Sequence, residues 1–124
     1  MNDTEHAVRD SWGRIAAWLR GHVQPGSRRA AAETGRLAAA EAELGLPIPE
    51  DLRAWWRLDD VAATFWIPLA FAPVDLGEAL SARDILVQVA RDEAGHPGEL
   101  ADAAQYLPAF LPIAESPGGD HLLV

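Results

Sequence analysis

A proline-stiffened corner between two helices constrains this chain more than any other feature. Residues 37–60 read LAAAEAELGLPIPEDLRAWWRLDD. With Leu37 facing inward, helical spacing sets Ala40, Glu41 and Leu44 beside it. Gly45 follows, where the backbone can take a positive φ and end the helix. Pro47 and Pro49 bracket Ile48 and stiffen the connector. Pro49 suits the first position of a new helix, where its missing N–H would be unpaired anyway. Glu50 and Asp51 then favour the positive end of the helix dipole. Leu52, Trp55 and Trp56 recur at i, i+3 and i+4, which turns both indoles towards a core.

The rest of the chain arranges itself around this corner. Val8, Trp12, Ile15, Leu19 and Val23 form one stripe, so the chain opens on an amphipathic helix capped by Thr4 or Asp3, with Trp18 on its flank. Pro25, Gly26 and Ser27 break it, with Arg28 and Arg29 in or just after the turn. Residues 30–44, rich in Ala, Glu and Arg, predict the second helix, which Gly35 weakens by about 1 kcal/mol. The tryptophan helix runs from Pro49 to about Asp59. Residues 65–67 and 69–71 read as extended, interrupted by Pro68. Asp75 caps a further helix reaching about Arg91, marked by Leu76, Ala79, Leu80, Leu86, Val87 and Ala90; Gly77 and Ser81 weaken it. Residues 92–105 read as a loop, with a short helical turn at 99–104. Residues 110–114 form a strand, 116–120 a turn, and 121–124 a returning strand. The order helix, helix, helix, strand, helix, strand, strand predicts an α+β fold, an antiparallel sheet packed against helices.

Composition narrows the function classes. A length of 124 residues suits one domain, here spanning 1–124, and buries roughly two-thirds of its unfolded surface. An apolar share of 49% argues for a folded core, and the absence of cysteine rules out disulfides, thiolate zinc and a cysteine nucleophile. The opening residues lack the basic and apolar regions of a signal peptide, and no apolar run approaches the roughly 18 residues of a membrane span. A cytoplasmic protein is expected. The net charge of −9 argues against nucleic acid and anionic membranes as partners and for a basic protein partner.

The 37–60 stretch resembles the signature of the SUKH superfamily, the Smi/Knr-type proteins. Glu41, Leu44, Gly45, Ile48, Pro49, Leu52, Trp55 and Trp56 fall on its positions. So do the segment Leu111, Pro112, Ile113 and Ala114 and the turn Gly118, Gly119 and Asp120, while Trp12, Trp18 and Leu19 resemble its opening helix. Residues 62–106 match loosely. Three departures stand out. Val61 replaces a usual Gly, and a β-branched residue disfavours positive φ. The Pro-Pro-rich approach to the second helix is missing. Relatives usually continue past the position of Val124 into a further hairpin, so the sheet is a strand short or the chain truncated, with an exposed edge.

Each candidate residue has a structural and a functional reading. Glu41, a carboxylate on an apolar face, is either an acid or ligand, or an acceptor for backbone N–H groups of the turn after Gly45; the second is favoured because buried charge must be paired. Gly45, Pro49, Trp55 and Trp56 read as structural, the indoles as core rather than a sugar platform. Asp59 and Asp60 end the tryptophan helix, where acids oppose the dipole by some 0.3–1 kcal/mol. With Glu115 and Asp120 they form a candidate acidic protein-binding face; the alternative is an ordinary solvated surface. His6, His22, His96 and His121 lack zinc-site spacing, and His22 is read as packed or exposed. Asp120 and His121, adjacent on a strand, point apart and make a poor catalytic dyad. Phosphate-loop and nucleophile-elbow patterns are absent. No catalytic residue, metal ligand or cofactor is assigned, and the oligomeric state is left open.

The resemblance implies a binding protein without chemistry of its own. Many bacterial members look like immunity proteins that neutralise toxins, and an acidic chain complements a basic toxin domain. An intracellular adaptor of the cell-wall-assembly-regulator type is the alternative, and a small hydrolase a remote one.

Overall fold

The computed structural model describes residues 2–22, 26–93 and 110–124. The first helix, α1 (Asp3–His22), is capped by Asn2, whose Oδ1 accepts the Glu5 N–H at 2.7 Å. Neither Thr4 nor Asp3 takes that role, because the helix already includes them. Trp12 and Leu19 are buried, while Ile15 and Trp18 face solvent.

The second helix, α2 (Thr34–Leu44), starts four residues later than its composition predicts. The preceding residues are held extended against the exit of the tryptophan helix. Arg29 N–H donates to Val61 O, Ala32 N–H to Trp56 O, and Ala63 N–H to Ser27 O, each at 2.7 Å. These donors find partners across the chain, so Ala and Arg propensity does not decide the backbone there.

The corner then forms as its residues dictate. Gly45 stands at φ 67° and its N–H donates to Glu41 O. The third helix, α3 (Glu50–Arg57), follows, with Pro49 one position ahead of it and its carbonyl accepting the Arg53 N–H at 2.9 Å. The helix ends at Arg57, short of Asp59, because Leu58 turns extended.

Residues 65–71 are not strands. Ile67 and Phe71 exchange two backbone bonds of 3.0 Å and close a tight hairpin over Pro68, Leu69 and Ala70. Pro68 favours a turn over a ladder, and this overrides the β propensity of its aromatic neighbours. The first strand, β1 (Ala72–Pro73), lies just beyond. It leads into α4 (Leu76–Glu93), which is unbroken despite Gly77 and Ser81. Its inward residues Leu76, Ala79, Leu80, Val87 and Ala90 are buried. The expected turn at 99–104 lies outside the described residues. The strands β2 (Pro112–Glu115) and β3 (His121–Leu123) complete an antiparallel sheet in the order β1-β2-β3. Pro112 opens β2 beside a register shift, where a missing donor is tolerated.

The described elements are four helices and three strands in the expected order, an α+β fold. Two apolar cores meet at α3. One joins α2, α3 and α4 around Leu37, Ile48, Trp56, Val74 and Ala79. The other joins α1 to the α3 exit through Trp12, Leu19, Leu58 and Val61. Val61 is fully buried, which accounts for a β-branched residue at that turn. Trp56 is 0% exposed and its indole N–H reaches Val74 O at 3.3 Å. Trp55 touches both cores. No helix among the described residues is long and apolar enough to cross a membrane.

Truncating Trp56 to Ala should therefore cost about 3–5 kcal/mol, read as a lowered urea midpoint.

Candidate functional site

The site grows from a residue whose role the sequence did not reveal. Arg29 lies in the extended segment before α2 and is 4% exposed. Its Nη2 donates to Trp55 O at 2.6 Å and to Leu58 O at 3.4 Å, closing the carbonyl end of α3. The guanidinium also lies 4.6 Å from the Trp55 ring centroid, a cation–π contact. A cation at this end suits the helix dipole. The penalty expected from Asp59 and Asp60 is thus offset, and both acids lie beyond the helix rather than on its last turn. Nothing but sterics, Arg over Lys for a planar stack, could have flagged Arg29 in the sequence.

Carboxylates gather around this cation. Asp60 Oδ1 accepts the Trp12 indole N–H at 2.7 Å, so it has a structural duty as well as a charge. Asp75 caps α4, accepting the Glu78 N–H at 2.7 Å. Asp60, Asp75 and Glu78 all act on Arg29 electrostatically, and Glu115 on β2 acts on Glu78. Burial pushes Arg29 down to about 10, against the pull of Asp75, Asp60 and Glu78, so it stays cationic at neutral pH. Glu78 is pushed up to about 7, first by burial of its carboxyl, then by its hydrogen bond with Asp75 and the charges of Asp75 and Glu115.

Of the four acids read as a face, the structure brings Asp60 and Glu115 into this group and adds Asp75 and Glu78. Asp59 is exposed next to Asp60. Asp120 sits in the 116–120 turn, where its backbone N–H donates to Ser116 Oγ at 3.1 Å and its carbonyl accepts the Ser116 N–H at 2.9 Å. Asp75 was legible as a cap, but neither it nor Glu78 was legible as part of a face, because helix phase alone does not say which strand they meet.

The remaining candidates serve the scaffold. Glu41 Oε2 accepts the Ile48 N–H at 3.1 Å and its Oε1 the Arg53 Nη1 at 2.8 Å, bracing the corner. His22 is exposed, stacked on Trp18 at 4.1 Å, with Nδ1 2.7 Å from Trp18 O. His121 Nε2 lies 3.9 Å from Glu115 Oε2. His96 lies outside the described residues. Among the described residues no three His, Asp or Glu are disposed to hold a metal ion. An apolar groove of about 350 Å³ lies between α1 and α3, lined by Ala7, Val8, Ser11 and Leu52, and another of about 350 Å³ lies between the corner and Leu111 and Val124.

Two outcomes follow. Arg29→Ala should destabilise by about 2–3 kcal/mol, with Arg29→Lys intermediate, since a lysine keeps a charged bond but loses the planar stack; urea titration reads both. The raised Glu78 carboxyl binds its proton more tightly folded than unfolded. Its contribution therefore falls as pH rises from the ordinary value of 4.5 to about 7, and is level above. Glu78→Gln should remove that decline, so the variant gains on the native chain more at pH 8 than at pH 5.

No protein-family model matches this sequence and no curated protein sequence matches it, so the case for function rests on the residues and their geometry.

Proposed function

We propose that this chain is a SUKH-type protein-binding domain without chemistry of its own, a cytoplasmic immunity protein that neutralises a basic toxin domain by covering it. The observation that carries this reading is the concentration of carboxylates beside the α3 exit and the start of α4. Asp75 caps α4 and lies within hydrogen-bonding reach of Glu78, Glu115 on β2 acts on Glu78, and Asp60 beside the α3 exit acts on Arg29. Such crowding is unfavourable in the free protein, and a cationic partner relieves it. The net charge of −9 extends the same field beyond the contact and speeds encounter. The corner residues that resemble the superfamily signature supply the frame on which this face is displayed.

Co-expression with the product of the adjacent gene, followed by purification at low salt, tests the proposal. A stable complex is expected, and its absence overturns the reading. Neutralising Asp59 and Glu115 (Asp59→Asn with Glu115→Gln) should slow association about three- to tenfold at low salt and little at high salt, since steering is screened. Stopped-flow association rates check this.

A further inference from the structure

Two consecutive residues at the tip of the 67–71 hairpin stand in the left-handed region, Leu69 at φ 72° and Ala70 at φ 67°. Glycine or asparagine is the ordinary choice there, and a bulky side chain is an outlier. Leu69 is also 90% exposed, and Phe65 on the arm leading in is 55% exposed. A lone exposed leucine is common on protein surfaces. A leucine held in water at positive φ carries two costs at once, and a glycine would remove both.

The base of this hairpin is fixed. Trp66 Nε1 donates to Ala62 O at 2.9 Å, and its ring packs on Trp12 at 5.6 Å. The same Trp12 holds Asp60 through its indole N–H at 2.7 Å. One indole thus supports both the apolar tip and a member of the acidic face. Apolar contact flanked by charge is the ordinary anatomy of a protein interface.

We propose that the 67–71 tip, with Leu69 as its anchor, docks into an apolar recess on a protein whose contact face is cationic. This rests on the protein-binding reading above and names the surface that serves it. Charge complementarity decides the occupant: a second copy would bring −9 against −9, whereas a cationic face is attracted. The strain at Leu69 and Ala70 is retained because the side chain it presents is used in the complex.

The test compares the native chain with Leu69→Gly and Leu69→Asn, both compatible with positive φ. The probe is the purified product of the gene adjacent to this chain's own. Both variants should melt at the same temperature as the native chain or higher, yet bind the probe at least tenfold more weakly. Native-level affinity in both variants, with the native chain binding, overturns the docking role and leaves the protein-binding reading standing. A clear drop in melting temperature in both variants overturns it too, since Leu69 would then serve the fold. A native dimer in sedimentation that both variants abolish assigns the tip to self-association and overturns it likewise. Failure of the native chain to bind the probe removes the reading beneath it, and the docking role with it.

Discussion

The Arg29 guanidinium, buried against the last carbonyls of α3 and the face of Trp55, is the contact on which the rest of the structure depends. It satisfies Trp55 O and Leu58 O at the point where the helix stops and the chain turns towards the acidic face. It also explains why residues before α2 run extended. A guanidinium can reach the end of α3 only if its backbone lies alongside residues 56–63, as the bonds from Arg29, Ala32 and Ala63 show. Burying a cation is costly unless it is paired. Here the carbonyls, the indole and the surrounding field of Asp60, Asp75 and Glu78 share that task.

Trp55 is the physical link between the two cores. Its ring lies edge-on to Trp12 at 5.9 Å and beneath Arg29 at 4.6 Å. Trp12 in turn packs on Trp66 and donates to Asp60. The chain from Arg29 through Trp55 and Trp12 to Asp60 and Trp66 therefore couples packing to surface charge. The acids are displayed by the core itself rather than by loose loops. Glu5 adds a peripheral tie, reaching Arg57 at 3.3 Å and Arg9 at 3.6 Å, of the modest kind that surface ion pairs supply.

Electrostatic crowding is what gives the face its character. The cap of α4 places Asp75 and Glu78 within hydrogen-bonding reach, a local arrangement that favours the helix. The sheet then brings Glu115 to bear on the same carboxyl. An arrangement good for helix initiation thus becomes less favourable in tertiary context, where burial first, then Asp75 and Glu115, raise the Glu78 carboxyl.

The sequence by itself determined the order of elements, the corner at Gly45 and Pro49, the cap at Asp75 and the inward stripe of α4. These follow from local causes: a positive φ, a missing donor, a side chain within reach of its own helix, a period of 3.6. Only the tertiary structure decided the start of α2, the duty of Arg29, and the company kept by Asp60 and Glu115. Each of these depends on groups far apart in the chain. Arg29 answers carbonyls 26 and 29 residues away, and Trp12 answers a carboxylate 48 residues away. Local propensity fixes what a segment can be, whereas long-range hydrogen bonds and burial decide which of those options lowers the free energy of the whole.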